Sequence, residues 1–300
     1  MKHLLFAVLA VAAITSCKKS TTPPADTTIT TADVAKIFSA GSTLVTYGVN
    51  FSASIDQAPV LQAPTFGSNQ TWNLGNIIYN SKTFTTAYTS APAPFPTDAF
   101  QWSGNAASIV SSDSILEGHV FNISANGLSN LGYTMAASTI TIPGLGTIKY
   151  PNQAVVNSKP MPETPAIPFK YGDSVGFTGV TQTENFIANA PGVGLNNVPG
   201  QQVFTVSGSA ACWASGKLTL KGFSNAMDVL VVKVHMHTVA NYFLGGAPAP
   251  TPLLSMLGIT DGSSADEYWF DFYGAGGTGF LGTIYTDASG KIVRVKFRAK

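Results

Sequence analysis

The chain has 300 residues, a formal net charge of +1 and only 10% charged residues. Typical soluble domains carry about 25% charged residues, so uncharged polar side chains must cover much of this surface. Because the net charge is small and no basic run is present, a nucleic-acid partner is excluded on electrostatic grounds. The length allows one large domain, or two lobes, to bury a core without disulfide bonds.

The first residues have the composition of a secretion signal. Lys2 and His3 form a short basic start, and the eleven residues 4–14 are apolar throughout. Such a stretch is too short to cross a bilayer as a helix, but it matches the apolar core of a signal peptide. We therefore predict a signal peptide over residues 1–16.

The residues around Cys17 resemble the bacterial lipobox. The tetrapeptide Ile14-Thr15-Ser16-Cys17 ends on a cysteine directly after the apolar stretch. The resemblance implies that Cys17 is lipidated on its sulfur, becomes the first residue of the mature chain and holds the protein on a membrane. The alternative is an ordinary signal peptide followed by an incidental cysteine.

The residues after Cys17 bear on location. In lipoproteins of this kind an aspartate at the next position favours the inner membrane, and in some from Bacteroidota an acidic run favours the cell exterior. Lys18 and Lys19 match neither pattern. By resemblance we expect an outer-membrane lipoprotein, on the periplasmic face rather than the cell surface.

Residues 17–40 are predicted to connect the lipidated cysteine with the folded body. The Thr- and Pro-rich stretch 20–31 cannot bury a core and is typical of a spacer. Residues 33–40 can form one or two helical turns. The β-rich body is then expected over residues 41–300.

The body has strand patterns throughout and almost no helix pattern. Apolar and polar residues alternate over 45–55 and 228–238, with shorter alternating runs at 202–207 and 217–221. In residues 268–273, apolar side chains occupy both sets of alternating positions, as in a strand that is covered on both faces.

The C-terminal region predicts a β-hairpin. Strand patterns over 279–286 and 291–298 flank residues 287–290, whose first Asp and last Gly favour a four-residue turn. In the second strand we expect Val295 to face the core and Lys296 to face solvent.

Together these patterns predict an all-β, β-sandwich-like fold, as one large or two-lobed body. Loops rich in Gly and Pro separate the strands, including 189–200. The Pro-rich segment 157–168 is the predicted seam between lobes.

Two histidines, His235 and His237, occupy alternate positions of a predicted strand and so project from one face. Such a pair can contribute to a zinc site, but a site needs at least a third protein ligand. The residues that alternate with them, including Val234 and Met236, are apolar and are expected to face the core. A solvent-exposed strand face therefore explains the two histidines better than a zinc site does. We predict no metal, and the pair is a candidate for a zinc test.

Two further patterns indicate structure rather than chemistry. Residues 274–279 have the glycine spacing of a dinucleotide-binding loop, but a strand pattern follows where a helix is required, so no cofactor is expected. Cys212 lies between Ala211 and Trp213, which favours a buried and inert thiol over a nucleophile. We predict no catalytic residue.

The four tryptophans are candidates for stacking on sugar rings, because amphipathic rings on a charge-poor β-surface suit half-wet binding sites. They are Trp72, Trp102, Trp213 and Trp269. The alternative for each of them is a place in the core.

Several short sequence segments of the body resemble a group of uncharacterised β-rich secreted proteins and lipoproteins from Bacteroidota. They are Thr71-Trp72-Asn73-Leu74, Pro168-Phe169-Lys170-Tyr171-Gly172-Asp173-Ser174, Gly216-Lys217-Leu218-Thr219-Leu220 and residues 229–234. The chain departs from the group pattern at residues 221–225 and at Val232. The resemblance implies a β-rich fold and an exported location, and it carries no catalytic motif.

These features favour a lipid-anchored cell-envelope protein that binds a glycan or another envelope polymer without catalysis. A structural or protein-interaction lipoprotein is the alternative, and a hydrolase is the third hypothesis. An aromatic row exposed on one sheet face would favour the first, and an uncovered strand edge or large apolar patch the second. Converging carboxylates in a cleft would favour the third.

Overall fold

The computed structural model describes residues 27–50, 63–75, 83–103, 116–142, 144–256 and 259–300. The predicted signal peptide, Cys17 and most of the predicted spacer lie outside these residues. The described part of the chain consists mainly of β-strands, with two short α-helices. The predicted all-β fold class is confirmed.

The strands and helices are numbered in chain order. The strands are β1 (Thr28–Ile29), β2 (Thr43–Asn50), β3 (Gly67–Leu74), β4 (Thr83–Ser90), β5 (Phe100–Ser103), β6 (Leu116–Ser124), β7 (Gly127–Met135), β8 (Ser138–Ile142), β9 (Gly146–Tyr150), β10 (Gln153–Pro162), β11 (Phe169–Lys170), β12 (Ser174–Ala190), β13 (Leu195–Leu220), β14 (Met227–Leu244), β15 (Ala247–Pro248), β16 (Ser263–Gly274), β17 (Gly279–Thr286) and β18 (Ile292–Arg298). The helices are α1 (Thr31–Ala35) and α2 (Thr251–Met256), and a 3₁₀-turn covers Pro191–Val193.

Sixteen strands form one sheet, and β1 pairs separately with β11. The order along the sheet is β10-β7-β6-β5-β4-β2-β18-β17-β16-β14-β13-β12-β9-β8, with β15 beside β14 and β3 beside β13. The β3–β13 pair is parallel. Gly216 permits this pair, because a Cβ atom there would lie 2.0 Å from the backbone oxygen of Gln70.

The sheet curls back on itself, so that β10 and β12 lie side by side although they are far apart in the strand order. Polar side chains join them. Gln182 donates a hydrogen bond to Asn157 at 2.8 Å, and Gln153 accepts one from the backbone N–H of Asn185 at 2.9 Å. The two halves of the curled sheet therefore face each other across a core, in agreement with a sandwich-like body.

The inner face of the curled sheet encloses the larger core, which we call the inner core. On β14 it contains Leu230, Val232 and Val234, the parity that the sequence predicts to face inward. Ile29 of β1 and Val34 of α1 pack into the same core and are fully buried. The short helix is thus held by burial rather than by its own length, since isolated helices of this size are unstable in water.

A second core, the outer core, lies on the opposite face of β13, β14, β16, β17 and β18. Trp72 of β3 covers it together with Leu74, and the Trp72 ring meets Phe272 edge-on with ring centres 5.3 Å apart. Val231 of β14 and Val295 of β18 belong to this cluster. The first half of β14 and residues 270–273 of β16 are therefore covered on both faces, whereas Tyr268 and Trp269, at the start of the predicted stretch 268–273, are only half-buried.

Other features of the prediction are confirmed. Strands β17 and β18 form the predicted hairpin, and Gly290 takes the left-handed conformation that the turn requires, with φ of 83°. Helix α1 overlaps the predicted helical segment 33–40. Within the described ranges, neither α-helix has the length and apolar character needed to cross a membrane.

Four details differ from the sequence prediction. Ile29 and Val34 lie within the predicted linker 17–40 but are fully buried in the inner core, so the folded body begins before residue 41. Residues 157–162 are the second half of β10, so the predicted seam at 157–168 begins within a strand of the continuous sheet. Residues 195–200, expected in a loop, begin β13. Lys296 lies opposite in parity to the outer-core residue Val295, so it faces inward, and burial lowers its pKa to about 8. Alternation alone does not identify the solvent side of a strand that is covered on both faces.

Asp33 fixes the start of α1 and ties it to the loop between β16 and β17. It is 3% exposed, and it accepts hydrogen bonds from the backbone N–H of Thr30 at 2.9 Å and from that of Gly277 at 2.5 Å. Burial raises the pKa of Asp33, but the hydrogen bonds from Thr30 and Gly277 outweigh it, so the net pKa is below the ordinary value.

We expect Asp33→Ala to lower the free energy of unfolding by about 1–2 kcal/mol at pH 7, because a helix cap and a buried hydrogen-bond acceptor are lost. The folded-state pKa lies below the unfolded value of 3.8. The stabilisation by ionised Asp33 is therefore fully present above the unfolded-state pKa, and it is lost as the pH falls through the folded-state pKa. Denaturant unfolding at pH 7 and pH 3 measures it, with the exposed position Thr31→Ala as control. A difference from the wild type that is as large at pH 3 as at pH 7 would contradict this role.

Candidate functional site

A row of aromatic and charged side chains lies on the outer face of the sheet where the outer core ends. Lys233, His235 and His237 occupy alternate positions of β14 on this face. Strand β16 places Tyr268 directly opposite His235 and Asp266 opposite His237. The shared outer face predicted for the three β14 residues is confirmed.

Trp213 joins this row at a β-bulge in β13. The register with β14 shifts between Cys212 and Ala214, so Trp213 is the extra residue and its ring packs at the edge of the outer core. The Nζ atom of Lys233 lies 4.4 Å from the centre of the Trp213 ring and 6.0 Å from that of Tyr268. Lys233 therefore bridges the two rings by cation–π contacts.

We call this row the outer aromatic strip. Phe66, which is 63% exposed, packs edge-on against Trp213 with ring centres 5.1 Å apart. At the other end His235 stacks flat on Tyr268, with ring centres 4.5 Å apart and an interplanar angle of 2°. From Lys233 to His237 the strip covers about 13 Å, at about 3.3 Å per residue. Its members are Phe66, Trp213, Lys233, Tyr268, His235, Asp266 and His237.

The two histidines of the strip share one carboxylate. Oδ1 of Asp266 lies 2.7 Å from Nε2 of His235 and 3.1 Å from Nδ1 of His237. Hydrogen bonds from His235 and His237 lower the pKa of Asp266. In the part of the chain that the structure describes, no group of three or more His, Cys, Asp and Glu side chains is arranged to hold a metal ion. The imidazoles are 35% and 43% exposed and can contact a ligand.

Short serine side chains of β13 lie beside the strip. Ser209 lies directly opposite His235, and Ser207 lies opposite His237. Their hydroxyl groups therefore lie beside the two imidazoles. Together with the strip they offer apolar ring faces and hydroxyl, imidazole and carboxylate groups.

The other three tryptophans named in the sequence analysis lie elsewhere. Trp72 is 8% exposed within the outer core, so its ring is not available for stacking. Trp102 and Trp269 pack against the inner core. Of the four, Trp213 lies on the exposed sheet face, opposite in parity to the inner-core residue Cys212.

Two buried carboxyl groups lie inside the curled sheet. Burial raises the pKa of Asp271 to about 7, and burial together with nearby Asp271 raises the pKa of Glu163 to about 8. The oxygens of Asp271 accept hydrogen bonds from the Thr283 hydroxyl at 2.6 Å and from the Trp269 indole N–H at 3.0 Å. Both oxygens are thus used by neighbours in the sheet, which favours a structural role over a hydrolytic one.

The remaining sequence motifs occupy structural positions. Cys212 is 1% exposed, which confirms its predicted burial, and burial raises the pKa of its thiol to about 12. The glycine loop 274–279 leads from β16 into β17, so a strand follows it as the sequence pattern predicts.

No protein-family model, curated protein or solved structure matches this chain. Its function is therefore inferred from the geometry of its surface and interior.

Proposed function

We propose that the protein is an exported lipoprotein that binds a neutral glycan or similar envelope polymer on the outer aromatic strip, without catalysis. The observation that carries the proposal is the row of Trp213, Tyr268 and His235 along one exposed sheet face. Aromatic faces suit the apolar faces of sugar rings, and the adjacent serine hydroxyls, imidazoles and carboxylate can hydrogen-bond with sugar hydroxyls.

Charge favours a neutral polymer over an anionic one. Lys233 and Asp266 place one positive and one negative charge on the strip, and the whole chain carries only +1. A surface with balanced charge does not attract a polyanion over long range. The ammonium group of Lys233 is also engaged with the Trp213 ring. An uncharged polysaccharide fits both facts.

Removing the rings tests the proposal. Trp213→Ala and Tyr268→Ala should each weaken retention on a neutral polysaccharide by about tenfold, or about 1.4 kcal/mol, because a stacked ring and its buried area are lost. Affinity electrophoresis in gels containing dextran, xylan, galactomannan or β-glucan measures this retention.

Ile187→Ala is the matched control, because Ile187 is 41% exposed on the outer face of β12 but lies outside the strip. It should keep the retention of the wild type. Equal retention of Trp213→Ala and the wild type, with both proteins folded, would contradict binding at the strip. Failure of the wild type to bind any of the four polymers would shift the assignment to the alternative below.

The alternative is a structural or protein-interaction lipoprotein. The observation that favours it is Phe66, a large apolar side chain that is 63% exposed beside Trp213. Aromatic side chains are enriched at the centres of protein interfaces. Under this alternative, Phe66 and Trp213 together form the contact for a partner protein of the envelope.

The proposed membrane attachment depends on the lipobox-like residues. The first described strand begins at Thr28, so only a short segment separates Cys17 from the folded body. We expect Cys17→Ala to release the protein from the membrane fraction, because each buried methylene of an acyl chain contributes about 0.8 kcal/mol of membrane binding. Mass spectrometry of the N-terminal peptide should find acylated Cys17 in the wild type.

Cys212→Ala is the control for this test, because its buried thiol should not affect fractionation. An unmodified Cys17 in membrane-bound protein would contradict the proposed anchor. Resistance of the protein to protease added to intact cells would agree with the periplasmic face of the outer membrane, and digestion would indicate the cell surface.

A further inference from the structure

A pocket of about 250 Å³ lies at the end of the long strands β12, β13 and β14. Its wall consists mainly of aliphatic and aromatic side chains, among them Ile140, Ile148, Phe186, Ala188, Leu244 and Leu254.

The pocket continues the inner face of the sheet beyond the inner core. Phe186 and Ala188 of β12 have the same parity as Val180, which belongs to the inner core. Strand β9 pairs with this end of β12 and places Ile148 opposite Ala188, and β8 pairs with β9. Leu254 of α2 adds a further wall. The pocket is therefore built from several chain segments around the inner face.

One side of the pocket is polar. The strand register places Glu184, Gln202 and Tyr242 side by side on β12, β13 and β14. Gln202 donates a hydrogen bond to the Tyr242 hydroxyl at 2.9 Å, and both side chains line the pocket. Tyr133 donates a hydrogen bond to the carboxylate of Glu184. Burial raises the pKa of Glu184, with the Tyr133 hydrogen bond acting against it.

The charges near this polar side disfavour an anion. No lysine, arginine or histidine is among the described residues that line the pocket. A carboxylate or phosphate placed beside Gln202 would be buried without a cation and close to the carboxyl group of Glu184. An uncharged polar group can instead hydrogen-bond with the Gln202 amide and the Tyr242 hydroxyl.

We propose that this pocket binds the aliphatic chain of a small neutral amphiphile, such as an alcohol, amide or ester, with its uncharged polar end directed at Gln202 and Tyr242. Water is a poor occupant of a space with aliphatic walls, and a sugar would leave hydroxyl groups unpaired there. The pocket lies on the opposite sheet face from the outer aromatic strip. The binding is therefore a function beyond the proposed glycan recognition and does not depend on it.

Displacement of a neutral fluorescent probe tests the proposal. The full chain carrying Cys17→Ala, which removes any lipid anchor from competition, is loaded with N-phenyl-1-naphthylamine at pH 8. We expect decan-1-ol to displace the probe and decanoate to compete at least tenfold less well. Failure of the probe and of decan-1-ol to bind, or equal competition by decanoate, would overturn the proposal.

A pair of variants at neighbouring residues locates the site. Ala188→Phe should abolish probe binding, because Ala188 is 5% exposed and its side chain lines the pocket. Ile187→Phe is the matched control, since Ile187 is 41% exposed on the other face of the same strand. Equal probe binding by the two folded variants would place the probe elsewhere. Should Ala188→Phe fail to fold, Leu244→Asn at the half-buried wall position is expected to weaken probe binding at least tenfold, and unchanged binding would overturn the site.

Glu184→Gln tests the assignment of an uncharged polar end. The substitution keeps an acceptor for the Tyr133 hydroxyl but removes the ionisable carboxyl group. We expect the affinity for decanoate to rise at least fivefold and that for decan-1-ol to change less than twofold. If the ratio of the affinities for decan-1-ol and decanoate does not change, the role of Glu184 is contradicted.

Discussion

Strand β14 carries the burial constraint on which the rest of the structure depends. Its residues 229–232 are each no more than 1% exposed, so both faces of the strand need a cover. The curled sheet covers the inner face, and β3 with β18 covers the outer one. Because full burial of one such side chain contributes about 1.5–3 kcal/mol, the double cover fixes the register of β13, β14 and β16 together.

The outer cover ends after Val231, and the character of the exposed face changes there. From Lys233 to His237 the outward residues are polar. Lys233 and His235 meet aromatic rings of β13 and β16, and His237 meets Asp266, whereas Met236 still faces the inner core. Further along, Tyr242 lines the apolar pocket. The period of two thus lets one strand contribute to two surfaces of opposite chemistry without either disturbing the other.

The sequence predicts most of what depends on alternation and turn chemistry, including both faces of β14, the β17–β18 hairpin and the buried Cys212. It does not predict the start of β13 at residues 195–200, where Pro and Gly suggest a loop but β12 supplies strand pairing and β14 joins at Gly200. No local pattern marks the bulge after Cys212, which puts Trp213 and Ala214 on the same face. The pocket draws its walls from residues 140–259, so only the folded register brings them together.

Calorimetric titration of the best-retained neutral polysaccharide, with and without saturating decan-1-ol, examines the separation of the two faces of β14. If the outer aromatic strip and the pocket are separate sites, the polysaccharide affinity should change by less than about twofold, because the two ligands make no common contact. Trp213→Ala should weaken polysaccharide binding about tenfold and leave decan-1-ol binding unchanged. Mutual exclusion of the two ligands, or loss of both in Trp213→Ala, would contradict two independent faces.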